Sequence, residues 1–162
     1  PIDPVYRRLH NAGSDRFAYE VRNRFGGKPI LMERVARNVL KHRRRFRALV
    51  LVADQSPGER DNVYWTNWLN QPTAFFTGPA TIAKLTDFPV MFARCRRKSR
   101  GRYHLSLIPM AETPGQLTEE AIIEAYVRAA EETIRDEPES FLWSNRRWKH
   151  QPPDGWREEY SS

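Results

Sequence analysis

The stretch RALVLVAD, residues 47–54, is an uninterrupted apolar run rich in branched side chains that ends in an acid. A run with no polar alternation has no face to leave in water, so it predicts a central strand of a sheet covered on both faces, as in α/β proteins. Ligands of open α/β sheets gather at the carboxyl ends of such strands, which makes Asp54 the first candidate site residue. A strand-end acid that merely caps a loop or the next helix is the alternative. At 162 residues the chain has room for one domain with a proper core and is too short for two independent ones.

Helical spacing surrounds this run. Asp3 reads as an N-cap with Pro4 at the first helical position, followed by Val5, Leu9, Ala12, Phe17, Val21 and Phe25 in one long or two short helices that stop at Gly26-Gly27. A second helix is expected over about 32–43, with Val35, Val39 and Leu40 inward. Gln55 to Phe76 shows no clear periodicity and reads as a long loop holding Trp65 and Trp68, and long loops in compact domains are often functional. Beyond it come a short helix over about 79–86 and a strand pair, PVMFARC and YHLSLIP, joined across the basic RRKSRGR. A last helix starts at the N-cap Thr118, runs through Ile122, Ile123, Tyr126, Val127, Ala130 and Ile134, and is ended by Pro138. The tail from residue 138 to 162 is aromatic, basic and Pro-rich.

The net charge of +7 points to an anionic partner, either nucleic acid or anionic lipid headgroups. The cations cluster in KHRRRFR, RCRRKSRGR and RRWK. The single cysteine, Cys95, excludes an internal disulfide framework and a Cys-rich zinc site, fits a reducing compartment, and is expected to pack rather than react. No apolar run reaches bilayer length, and the opening PIDPVYRRLH lacks the order of a signal peptide. The missing initiator Met fits a piece of a longer protein. Phosphate-loop, dinucleotide, zinc-protease and hydrolase-elbow motifs are absent, and the four histidines lack ligand spacing, so neither a cofactor nor a metal is expected. His10 and Asp15 have the spacing of a possible base and its orienting acid. On a continuous helix, however, residues five apart diverge by about 140°, so the pair works only if the backbone bends near Gly13.

Four segments are more specific: VADQSP (52–57), FFTGPATIAKL (75–85), PVMFARCRRKSRGRYHLSLIP (89–109) and PESFLWSNRRWKHQPPDG (138–155). In this order and spacing they resemble the bacterial lipid A biosynthesis acyltransferases, the lauroyl and myristoyl transferases related to the lysophospholipid acyltransferases. YWTNW and RGRY are closest to a Bacteroidetes-like branch. The resemblance implies a glycerolipid-acyltransferase-like α/β fold, a mixed sheet flanked by helices, of which this chain is the carboxyl-terminal two-thirds. It implies transfer of a fatty acyl chain from acyl carrier protein to a hydroxyl of a lipid acceptor, at the cytoplasmic face of the inner membrane.

The resemblance also assigns residues. The H-x-x-x-x-[DE] motif of such enzymes precedes the region that this chain begins with, so His10 and Asp15 match a later helix and read as a bend or cap. Arg24, with Arg22 beside it, matches the arginine before the first glycine turn, and Asp54 matches the strand-end acid, giving Arg24 and Asp54 catalytic roles. Gln55, Phe76, Thr77 and Gly78 fall on segments beside the cleft, where Gly78 would let backbone approach substrate. The tail motif usually reads W-x-H-[KR]-R-[WF]-K, whereas here Asn145 stands at the histidine. Asn145 can replace a hydrogen bond but no proton chemistry. Arg147 and Trp148 are then expected at a lipid-facing interface or against a headgroup. Nothing resembles a nucleic-acid motif. A basic module that binds anionic lipid or nucleic acid without chemistry is the alternative function.

Overall fold

The computed structural model describes residues 1–59 and 61–156; residues 157–162 of the tail lie outside that range. The chain divides into two compact units, residues 1–52 and 53–162.

A buried carboxylate organises the 1–52 unit. Strand β1 (Ile2–Tyr6) lies between β2 (Ile30–Leu31) and β3 (Ala48–Val50), parallel to both. Its inward positions are Asp3 and Val5, and Asp3 has no exposure to solvent. Asp3 Oδ1 accepts the Lys28 N–H at 2.9 Å, and Oδ2 accepts Arg47 Nη1 at 2.9 Å. The same Nη1 donates to Asn38 Oδ1 at 2.8 Å, on helix α2 (Val35–Lys41). One side chain therefore ties β1 to the turn before β2, to the residue before β3 and, through Arg47, to α2. This overturns the helix start expected at Asp3-Pro4. The acid that mimics an N-cap is paired with an arginine 44 residues away, which no local pattern reveals. Pro4 is accommodated because it pairs with Val50 of β3, while β2 pairs only with Val5 and Tyr6.

Helix α1 (Ala12–Asn23) starts later than the periodicity implies. Asn11 is its N-cap, accepting the Ser14 N–H at 2.9 Å, and Asp15 reaches back to accept the Leu9 N–H at 2.9 Å. His10 and Asp15 thus form the helix entrance, with His10 exposed. No residue of α1 is buried, and the stripe of Phe17, Val21 and Phe25 faces solvent. Gly27 is required after it, since a Cβ there would lie 2.5 Å from the Ile2 carbonyl oxygen. A 3-10 turn (Met32–Arg34) leads into α2, which buries Val35 and Val39. Leu40 is exposed rather than inward, because it lies about 100° around the helix from Val39.

RALVLVAD is not a central, doubly covered strand. Only Ala48–Val50 pair, at an edge, with Ala48 and Val50 exposed. On that flank β1 pairs with β3 only through Ile2–Pro4, so the rest of the run has no register partner in this sheet.

In the 53–162 unit the expected long loop is a hairpin. Strands β4 (Val63–Trp68) and β5 (Gln71–Phe76) pair in register around Leu69 and Asn70, both at positive φ. That is the geometry of a two-residue type I′ turn, without the Asn-Gly that usually announces one. Helix α3 (Gly78–Thr86) and helix α4 (Glu119–Asp136) follow expectation. Thr118 caps α4 through the Ala121 N–H at 3.1 Å, and Ile122, Ile123, Val127, Ala130 and Ile134 are buried. They join Trp68 and Phe75 of the hairpin and Ala80 and Ala83 of α3 in one core.

Strands β6 (Val90–Ser99) and β7 (Arg102–Ala111) form a second hairpin, and the basic run expected as its connection is mostly strand. Phe92 meets the Tyr126 ring of α4 at 5.8 Å. Arg94 and Arg96 both bond Asp136 at the end of α4. Cys95 points to the other face and is exposed, where packing was expected, because the strand alternation puts odd-numbered residues outward. The α/β class thus holds, with the described strands in three small sheets: β2-β1-β3 parallel, β4-β5 and β6-β7 antiparallel.

Candidate functional site

The segment after Pro138 closes over the β4–β5 hairpin, and its centre is Arg147. The guanidinium sits 4.5 Å from the Phe75 ring centroid and 5.4 Å from that of Trp68. Nη2 donates to the Ala74 carbonyl at 2.7 Å. With 2% of its surface exposed, Arg147 is a core residue, which corrects the expectation of an interfacial cation. The two faces of its planar fork are apolar enough to stack on aromatic rings, so the cation can be buried where a lysine could not. Beside it Trp148 donates from Nε1 to Thr73 Oγ1 at 2.9 Å and lies 5.7 Å from Trp68. Its half-buried ring belongs to the same aromatic cluster rather than to a lipid-facing surface.

Burial pushes the Arg147 guanidinium down to about 10, opposed by Tyr126 and by the charge of Asp54. Burial likewise pushes the Tyr126 hydroxyl up, and the Asp54 carboxylate adds to that rise. Both groups keep their ordinary forms at neutral pH: Arg147 is a cation and Tyr126 an uncharged phenol. Asp54 is exposed, beyond the end of β3, and its field reaches both. Within its own unit the charge of Asp54 acts on Arg147. Arg24, the other residue given a catalytic role, belongs to the 1–52 unit.

Two hydrogen bonds staple the loop after Asp54 to the tail. Ser56 Oγ donates to the Arg147 carbonyl at 3.0 Å, and His150 Nε2 lies 2.7 Å from the Pro57 carbonyl oxygen. A carbonyl only accepts, so this His150 nitrogen carries the proton. Between loop and tail runs an open groove of about 510 Å³, lined by Gln55, Ser56, Leu142, Ser144, Asn145, Arg146 and Lys149. It offers two exposed cations with hydroxyl and amide groups, the chemistry of a site for a phosphate or carboxylate. Asn145, which stands where the resembled tail motif carries a histidine, lines this groove.

The remaining assigned residues lie elsewhere. Phe76 pairs with Val63, Thr77 binds the Asn62 carbonyl through its N–H at 3.3 Å, and Gly78 opens α3; none of the three lines the groove. A Cβ at Gly78 would meet nothing within 4 Å, so the fold itself does not demand glycine there. In the other unit Arg22 lies over the Tyr6 ring at 5.1 Å, and Arg24 caps α1 with its guanidinium 5.8 Å from exposed Phe25. The Asp15 carboxylate accepts the Leu9 N–H, and among the described residues no hydrogen bond joins it to His10. Sequence reasoning missed Ser56, Arg146 and Lys149 as groove residues and took Tyr126 as core alone. The signal for Arg147 was the RRWK run itself, in which a buried cation is indistinguishable from its exposed neighbours. Among the described residues no three His, Cys, Asp or Glu side chains group as a metal site.

The exposed cations of the groove suit an anionic ligand, and comparison with known proteins gives the class. The chain matches the family described as bacterial lipid A biosynthesis acyltransferase over residues 3–150, and it belongs to that family. No individual curated protein matches it. Transferase chemistry on lipid A-type molecules is what the family stands for. Among the described residues no helix is long and apolar enough to cross a membrane.

Proposed function

We propose that this chain is the acceptor-holding part of an enzyme that moves a fatty acyl chain from an acyl carrier protein thioester to a hydroxyl of a lipid A-type acceptor. The observation that carries the reading is the family match over residues 3–150. In this reading the groove takes the acceptor's anionic headgroup, with Arg146 and Lys149 on the phosphate and Gln55, Ser56 and Asn145 on its sugar-like hydroxyls. Asp54 lies beside it and positions the acceptor, held electrostatically by Arg147. The general base is a histidine of an H-x-x-x-x-[DE] motif upstream of residue 1. The reaction takes place at the cytoplasmic face of the inner membrane, with the remaining basic surface meeting acyl carrier protein, anionic lipid or both.

An assay with acyl carrier protein thioester and a lipid acceptor tests this. The chain alone is expected to give no turnover, and a protein carrying the upstream motif is expected to lose most of its activity with Arg146→Gln or Lys149→Gln through a raised KM. Turnover by the chain alone that His10→Ala abolishes would overturn the reading. A second reading, a basic module without chemistry, draws on the same groove and on the net charge of +7. Binding to nucleic acid that exceeds binding to anionic vesicles at equal salt would favour it.

A further inference from the structure

The β6–β7 hairpin has two faces with different company. On its inward side Phe92 meets Tyr126, and Arg94 and Arg96 pair with Asp136, with Glu137 3.4 Å from Arg96. The outward side is apolar and uncovered. Cross-strand register places Met91 opposite Pro109, Ala93 opposite Leu107 and Cys95 opposite Leu105, all on one face. Tyr103, Leu105 and Leu107 are 65%, 61% and 58% exposed. A contiguous apolar strip of this kind marks an interaction surface. At the tip, Arg97, Lys98, Arg100 and Arg102 are exposed, and among the described residues no carboxylate lies within salt-bridge distance of them.

We infer that this hairpin is a membrane-docking ribbon: its apolar face settles into the headgroup–acyl boundary of an anionic lipid surface while the tip cations meet lipid phosphates. The inference rests on the membrane-surface part of the proposed function and not on acyl transfer. Charge complementarity selects lipid over a second copy of the chain. A second copy would bring four more cations to the contact, whereas anionic headgroups neutralise those present. The hairpin also limits its own depth. Its outer edges are unpaired among the described strands, and unpaired backbone groups are costly in hydrocarbon, so the ribbon lies flat and shallow rather than inserting.

Cys95, the only cysteine, sits in the middle of the apolar face and serves as the probe. The chain labelled there with an environment-sensitive nitrobenzoxadiazole dye is titrated with vesicles of phosphatidylglycerol and phosphatidylethanolamine, and with phosphatidylcholine vesicles. Binding, read by cosedimentation, and a blue-shifted, brighter emission are expected with the anionic vesicles. Replacing Arg97, Lys98, Arg100 and Arg102 together by Gln is expected to weaken binding at least about tenfold. Leu105→Asn with Leu107→Asn is expected to remove the emission shift, and unchanged circular dichroism shows that both variants fold. The inference is overturned if the vesicle-bound protein shows no emission shift, or if both variants bind as the parent does. It is also overturned if the shift occurs without vesicles alongside a dimer mass in ultracentrifugation, which would assign the face to a second copy. Vesicle binding with no acyl transfer by a protein carrying the upstream motif would sink the enzymatic reading and leave this one standing.

Discussion

Arg146 and Arg147 are adjacent cations with opposite surroundings. Arg146 rims the groove in solvent, whereas Arg147 fills the space between Trp68 and Phe75. Arg147→Ala is expected to destabilise the 53–162 unit by about 2–4 kcal/mol, from a lost aromatic contact, a cavity and an unsatisfied Ala74 carbonyl. Arg146→Ala should stay within about 0.5 kcal/mol of the parent. Urea denaturation followed by tryptophan emission separates them, since Trp65, Trp68, Trp143, Trp148 and Trp156 all lie in that unit. Asp3 gives a second prediction. Burial alone would raise its carboxyl, but the Arg47 hydrogen bond, the Lys28 N–H and the charges of Arg45 and Arg47 outweigh it and hold the value below 3.8. The stabilisation is therefore fully present above the ordinary carboxylate range and is lost as pH falls through the lowered folded-state value. Asp3→Asn leaves Arg47 buried without its anion and is expected to cost about 3–5 kcal/mol at pH 7, with a flatter acid limb. Amide exchange at Val39 measured across pH checks both parts.

At the scale of elements, legibility followed the range of the forces involved. Helix α4 could be read in full because its cap, its first-turn acids and its buried stripe are all local. Strand β1 was misread because its defining pair, Asp3 with Arg47, spans 44 residues. The β4–β5 hairpin was missed because Leu69 takes a left-handed conformation that its side chain does not advertise. Asn70 is the residue suited to that turn, and Asn70→Ala is expected to cost about 1 kcal/mol in thermal or urea unfolding. The exposed stripe of α1 shows the converse error, a local period with nothing behind it. With no buried residue, α1 should exchange its amides orders of magnitude faster than the middle of α4, as hydrogen-exchange mass spectrometry can read. The candidate site was half legible. VADQSP and the RRWK region pointed to the two sides of the groove, but which tail residues face it depends on how the tail folds onto Thr73 and Ala74.

For the molecule as a whole, the +7 charge is unevenly committed. Arg94 and Arg96 are neutralised against α4 and Arg47 against Asp3, while the hairpin tip and groove rim are not. Association with anionic vesicles should therefore weaken steeply between about 50 and 200 mM salt, because these contacts are solvent-exposed and screened. Cosedimentation across that range measures it. The staple that builds the groove has a consequence for how the protein is made. Ser56 and His150 reach partners 91 and 93 residues away, so the groove closes one of the longest loops in the chain. A ribosome that has released residues 53–140 has already delivered the hairpin and α4, but Trp68 and Phe75 still wait for Arg147 and Trp148 to cover them. Until Arg147 and Trp148 emerge, Trp68 and Phe75 lack part of their cover, and a chain truncated before Arg147 is expected to show faster proteolysis and more aggregation than the parent.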